Sequence, residues 1–285
     1  MATFYNQATL SFGGRVTNSN ITEGEVVTRV SLTKIAVTTD YGPGDNIVYA
    51  VTLVNADTVD KAGISITDDL GAYTLPGGIE VVPLAYVTGS VIYYQNGVLQ
   101  PAPTVTAGTP LNISGITIPA GGSAIILYEA KATEYAPLSA GSGITNRVTA
   151  AGGEICDDLV GEATVPIRNE ANLTIAKSVC PATVTCGNEV TYTFIIQNMG
   201  NTEVVATDDL IVTDLFTPAL TGVGVTLNGT PLTLDTDYTY TEATGQFATL
   251  PGAITVPAAS FTRNPETGVV TTTPGVAVIT VTGMI

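Results

Sequence analysis

Two stretches of this chain decide its fold: GDNIVYAVTLVNAD (residues 44–57) and GNEVTYTFIIQNMG (residues 187–200). Alternate positions agree, with Ile47, Tyr49, Val51 and Leu53 in the first answering Val190, Tyr192, Phe194 and Ile196 in the second. An apolar period of two places each set on the buried face of one β-strand. The flanks repeat as well. LTKIAVTTDYGP (32–43) and LTIAKSVCPATVTC (173–186) come before, GISITDDLG (63–71) and LIVTDLFTP (210–218) after. Further along, YYQNGVLQPAP answers VTLNGTPLTLD, and Asn96-Gly97 and Asn228-Gly229 are hairpin-turn signals. Ile116-Thr117-Ile118-Pro119 answers Ile254-Thr255-Val256-Pro257, after which copy two carries an insertion, FTRNPETGVVTTTP (261–274), expected to be an enlarged loop or an extra hairpin. One β domain is written twice.

Composition agrees. The 285 residues are enough for two domains with cores of their own. Charged residues make up only 12%, there is no Trp, and 30 Gly and 16 Pro punctuate short β-favouring runs. That pattern predicts an all-β sandwich or barrel. Nine basic residues against 25 acidic ones leave a net charge of −16, a field that repels phosphate backbones and argues against nucleic acid as a partner. No window approaches the roughly 18 apolar residues of a membrane span. The first twenty residues show no secretory signal, and the C-terminus shows no wall-sorting motif.

The two copies differ at their ends. Copy one closes with ILYEAKATEYAP and then GITNRVTA (143–150), whereas copy two runs to AVITVTGMI (277–285), which lines up with AIILYEAKA (124–132). Copy two is therefore expected to lack its final strand. The N-terminus offers a replacement. Arg15-Val16-Thr17 matches Arg147-Val148-Thr149, Phe12 stands at the place of Ile144, and Gly14 stands at the place of Asn146. Residues 3–17 alternate with Phe4, Ala8, Leu10 and Phe12 on one side, interrupted only by Asn6, and Val16 continues the donor set. The expectation is one donor strand filling the second domain of the next chain. The rival is an extra edge strand folded back onto its own first domain.

Together LTK, GDNIVYAVTLVN, ITDDLG and ITNRVT resemble the conserved-repeat domain of bacterial and archaeal surface proteins, the domain-of-unknown-function family numbered eleven. The resemblance covers about residues 30–150 and, less completely, 170–285. It implies immunoglobulin-like β-sandwiches in extracellular stalks, sheaths or fibres. The expected layout is an extension at 1–20, a first sandwich at 21–155, a linker at 156–170 and an incomplete second sandwich at 171–285.

Candidate chemistry is sparse. Without His, neither a Ser-His-Asp nor a Cys-His nucleophile system can be built, nor a His-ligated metal site, and no phosphate-binding glycine loop is present, so no enzyme is expected. No cofactor is expected, with calcium the one open option. Asp157-Asp158 and Asp208-Asp209 are its weak candidates, against the plainer reading of solvated acidic turns. Cys180 and Cys186 either form a local disulfide or stay reduced. In the first case Cys156 is left for a link between chains. Similar surface domains carry an intramolecular Lys–Asn isopeptide bond, which needs a Lys on the first strand, an Asn on the last and a buried acid. Copy one offers Lys34 and Asn146, with Glu129 or Asp68 as the acid. Lys177 stands at the position equivalent to Lys34, though Lys also commonly snorkels from a strand edge.

Two functions follow from this reading. The first is a structural subunit that polymerises with itself by donor-strand complementation into a fibre on a cell or spore surface. The alternative is a rigid stalk or adhesin module that binds a host or glycan ligand through loops such as 72–89 or 261–274.

Overall fold

A computed structural model describes residues 2–26, 29–153, 155 and 157–285. They are almost all strand and turn; the one helical element among them is a 3-10 turn, Ala206–Asp208. No helix among the described residues is long and apolar enough to cross a membrane. The chain divides into two compact units, Met1–Ala136 with Gly143–Pro166, and Pro137–Ser142 with Ile167–Ile285. These are the two tandem β-sandwiches expected.

The N-terminal segment forms a ribbon of its own. β1 (Ala2–Asn6) pairs antiparallel with β4 (Thr22–Val26), and β2 (Thr9–Phe12) pairs with β3 (Arg15–Asn18). Gly13 and Gly14 make the tip, at φ of 56° and 75°, which suits residues without a Cβ. Between the two ladders, Gln7 and Ala8 face three residues, Ser19 to Ile21. The Ser19 hydroxyl accepts from the Ala8 amide at 2.9 Å, and the Gln7 side chain donates to the Ser19 carbonyl at 2.8 Å. The expectation of one continuous strand over 3–17 is thus overturned: two adjacent glycines at positive φ reverse the chain, and Val16 lies on the returning strand. The rival reading fails too, since these four strands join no other sheet among the described residues.

In the first unit, β5 (Val30–Ala36), β6 (Asn46–Asn55), β7 (Lys61–Asp68), β8 (Ile92–Gln95), β9 (Val98–Gln100), β10 (Thr104–Thr106), β11 (Leu111–Ile118), β12 (Ser123–Ala132), β13 (Gly143–Gly152) and β14 (Leu159–Pro166) build two sheets. One runs β9-β8-β12-β6-β5, with Leu84–Tyr86 also on β12; the other runs β10-β11-β7-β13-β14. Period-two alternation turns Val51, Leu53 and Ile126 inward from the first sheet and Ile64, Ile66, Ile113 and Val148 inward from the second, all fully or almost fully buried. Each such side chain contributes roughly 1.5–3 kcal/mol of burial. β14 closes the sandwich against β5 so tightly that a Cβ on Gly161 would stand 3.2 Å from the Lys34 Cβ. The expected linker at 156–170 is therefore corrected: most of it is a strand of the first unit, because Ala163 and Val165 have a core to fill. The N-terminal extension likewise runs to Val26, not to residue 20.

The second unit repeats this plan with β15 (Leu173–Cys180), β16 (Glu189–Asn198), β17 (Thr213–Leu215), β18 (Thr221–Leu227), β19 (Thr230–Pro231), β20 (Tyr238–Thr241), β21 (Gln246–Thr249) and β22 (Gly275–Met284). Its large sheet runs β15-β16-β22-β18-β19 and its small one β17-β21-β20. Copy symmetry reaches single hydrogen bonds. Asn55 and Asn198, both buried at the ends of β6 and β16, donate their side-chain amides to the carbonyls of Val59 and Pro119 and of Thr202 and Pro257. Asn96-Gly97 and Asn228-Gly229 both turn with positive φ, and the insertion forms the hairpin Ser260–Arg263 with Val270–Thr273. Strands equivalent to β13 and β14 are absent from the second unit among the described residues.

Candidate functional site

Lys34 comes from the middle of β5, Asp68 from the end of β7 and Asn146 from β13, and the alternation of each strand turns all three inward. Lys34 Nζ lies 2.7 Å from Asp68 Oδ2, with the two side chains 0% and 1% exposed. Tyr128 of β12 donates its hydroxyl to the same carboxylate oxygen, and the Asn146 amide nitrogen donates to the Tyr128 hydroxyl at 3.4 Å. The Leu70 amide holds the other oxygen, Oδ1, at 2.9 Å. Lys34 also sits over the Tyr49 ring, 4.8 Å from its centroid. Asn146 is wholly buried and its Oδ1 makes no hydrogen bond. The cluster is a dry chamber holding an amine, a carboxamide and a carboxyl.

Burial sets its electrostatics. Desolvation pulls the Lys34 amine below its usual range even though Asp68 pulls the other way. Desolvation first and Asp68 second push the hydroxyls of Tyr49 and Tyr128 above the usual phenol value. Of the two acids expected from sequence, only Asp68 reaches this chamber. Glu129 is on the opposite face of β12 from Tyr128, where it accepts from the Asn46 side chain at 3.1 Å. Tyr49 and Tyr128 complete the chamber, and the sequence signal for both is the alternation of β6 and β12, which points them inward.

The second unit carries half of this arrangement. Lys177 of β15 pairs with Asp214 of β17 and stands 4.7 Å from the centroid of Tyr192, the counterpart of Tyr49. Here the side chains are 39% and 19% exposed. Among the described residues the strand that brings Asn146 to the first site has no counterpart, and its place is a groove of about 300 Å³ lined by Leu173, Thr174, Ile175, Ile196 and residues 210–213. One edge of β17 is unpaired among the described residues, and Ile175 of β15 is 57% exposed.

The remaining candidates do not assemble. Among the described residues no three acidic, His or Cys side chains come together to hold a metal. Asp208 accepts from the Val205 amide at 2.8 Å and Asp209 takes a left-handed turn conformation, so both serve the 3-10 turn; Asp157 and Asp158 are exposed. Cys180 and Cys186 are exposed and free, and Cys156 lies outside the described residues. The donor side chains Phe4, Ala8, Leu10, Phe12 and Val16 are all exposed on the N-terminal ribbon.

No protein-family model and no curated protein matches this chain. Among solved structures it is similar to BcpA, the major pilin subunit of Bacillus cereus, at 12% identity and a TM-score of 0.35, over 96% of this chain and 73% of that one. It is similar to the pilus backbone protein RrgB of Streptococcus pneumoniae at 12% identity and a TM-score of 0.35, over 86% of this chain but only 55% of that one. The collagen-binding subdomain of the Enterococcus faecalis surface protein ACE matches 47% of this chain over 95% of its own length, at 13% identity and a TM-score of 0.32.

Proposed function

We propose that this protein is a structural subunit of an extracellular or surface fibre that assembles head to tail, the N-terminal hairpin of one copy filling the groove between β15 and β17 of the next. A single observation carries the reading. In the first unit the equivalent gap, between β5 and β7, is filled by the antiparallel pair β13–β14. Among the described residues the second unit has the gap without the pair, and the ribbon β1 to β4 is an antiparallel hairpin of similar length that joins no other sheet. The donor is then a hairpin and not a lone strand. Its apolar side chains Phe4, Leu10 and Phe12 are 57%, 65% and 85% exposed, a state that docking relieves at roughly 1.5–3 kcal/mol for each side chain buried. Donor and acceptor are different surfaces, so the contact is heterologous and builds an open filament. The role is structural and not enzymatic, and membership of the conserved-repeat family belongs to the same proposal, carried by the motifs quoted above. We also propose that Lys34 and Asn146 join in an isopeptide bond within the first unit, with Asp68 as the acid.

Deleting residues 2–26 tests the fibre. The full chain is expected to form filaments visible by electron microscopy on concentration, and the truncated chain to stay monomeric and to gain thermal stability from a synthetic peptide of residues 2–26. Normal filaments from the truncated chain would overturn the proposal.

A further inference from the structure

We infer that Asn6 of the incoming hairpin becomes covalently joined to Lys177 of the receiving unit, with Asp214 moving the protons. The inference rests on the fibre reading above and adds a covalent step to it. Lys177 and Asp214 already reproduce the ion pair of Lys34 and Asp68, down to the aromatic ring beneath the amine, at 4.7 Å for Tyr192 and 4.8 Å for Tyr49. Among the described residues the second site lacks a carboxamide, and it lacks the Tyr128 hydroxyl as well, whose place across from Tyr192 is taken by Val281.

The hairpin carries a carboxamide in the matching place. Asn6-Gln7-Ala8-Thr9 repeats the order of Asn146-Arg147-Val148-Thr149, an asparagine, a polar residue, an apolar residue and a threonine. Under this register Phe4 falls at Ile144 and Leu10 at Ala150, both buried positions of β13. Turn geometry agrees. Gly13, at φ 56°, lies as far past Asn6 as Gly153, at φ 59°, lies past Asn146. The alternative register, which puts Gly14 at Asn146, would place a reversal of the chain in the middle of a strand. In the first unit Val148 pairs across from Asp68, and Asn146 stands two positions before it on β13. Ala8 therefore arrives across from Asp214, and Asn6 falls where the amide is needed. The single polar break in the apolar stripe of the hairpin thus acquires a reason.

Docking also supplies the dry surroundings. β13 and β14 leave Lys34 and Asp68 at 0% and 1% exposure, whereas Lys177 and Asp214 are at 39% and 19% with the groove open. With water excluded, Asp214, already in contact with Nζ, takes the Lys177 proton as the first step of the reaction. The free amine attacks the Asn6 Cγ while Asp214 protonates the carboxamide oxygen. Asp214 then takes a proton from Nζ and delivers it to Nδ2, and the tetrahedral species collapses. An Nζ–Cγ bond forms, the Cγ–Nδ2 bond breaks, and ammonia leaves with the proton that Lys177 brought, as ammonium. No oxidant, metal or cofactor enters the balance.

Filaments of the full chain, boiled in sodium dodecyl sulfate, test the bond. Wild type is expected to run as a ladder of multimers, and a protease digest to contain the Lys177 peptide joined to the Asn6 peptide, lighter than their sum by about 17 Da. Asn6→Ala and Lys177→Arg are expected to form filaments that boil down to monomers. Wild-type filaments that also boil down to monomers, or a link mapped to Asn18 or Asn20, would overturn the bond and leave the fibre standing. Absence of filaments under all conditions would overturn the fibre and the bond with it.

Discussion

Lys34 and Asp68 form an ion pair 2.7 Å long, and water reaches neither side chain. A pair in that position has given up its hydration, and breaking it from one side leaves an unpaired charge, which costs about 3–5 kcal/mol. A bond from Lys34 to Asn146 removes the amine charge from the interior. The intact mass of the wild-type monomer is therefore expected to fall about 17 Da below the sequence mass. Lys34→Arg, Asn146→Ala and Asp68→Ala should each restore the full mass, and Asp68→Ala should also be destabilised in a denaturant titration, because its unbonded Lys34 amine stays buried without a partner. An unmodified wild-type mass would remove the bond within the first unit and leave the fibre proposal untouched.

Alkaline titration should show Tyr49 and Tyr128 ionising late. Both hydroxyls hold their protons above the ordinary value of 10.0 because burial disfavours the phenolate. A folded pKa raised in this way contributes stability that is complete below pH 10 and is lost as pH climbs through the folded value. Absorbance at 295 nm is expected to show two tyrosines that ionise only as the first unit unfolds, and Tyr128→Phe should remove one of them. In Asn146→Ala, where Lys34 keeps its amine, the lowered Lys34 pKa acts in the opposite sense. Between that value and 10.5 the unfolded chain binds the extra proton, so stability rises with pH across that window.

Asn55 and Asn198 make matching buried hydrogen bonds in separate units, which allows each unit to be destabilised alone. Replacing either with Ala removes side-chain donors from the carbonyls it holds, at roughly 1–3 kcal/mol in all. Calorimetry is expected to show Asn55→Ala lowering one transition and Asn198→Ala lowering another. A common shift of both transitions by either variant would mean that the units unfold as one.

A charge in the groove should block assembly without unfolding the subunit. Ile175 is 57% exposed in the open groove, so Ile175→Asp is expected to change monomer stability by about 0.5 kcal/mol or less. Docking would bury the new carboxylate against apolar side chains, so filaments should be absent by electron microscopy at concentrations where wild type forms them. Filaments of normal appearance from Ile175→Asp would count against this groove as the acceptor.

Much of this molecule was legible in one dimension. Period-two alternation in residues 44–57 and 187–200 set the duplicated strands and their buried faces, and Asn-Gly pairs set two of the turns, because both signals are local. Equivalent positions within the repeat also point to Lys34 and Lys177, and Asn146 follows from its place on the last strand of copy one. Which acid serves the first site was not legible. Asp68 and Glu129 are equally acidic in sequence, and only the strand pairing shows that Glu129 faces away from the chamber while Asp68 meets Lys34 and Tyr128. Residues 159–166 looked like a linker because a short strand at the edge of a sheet is defined by the neighbour it covers. The N-terminal segment reads as one strand because its apolar alternation lines up with residues 144–149 through Gly13-Gly14, and only the folded chain shows that pair reversing direction. Alternation tells each residue which side of its strand it occupies; what that side meets is decided by chain reversal and by the partner strand, and those belong to tertiary structure alone.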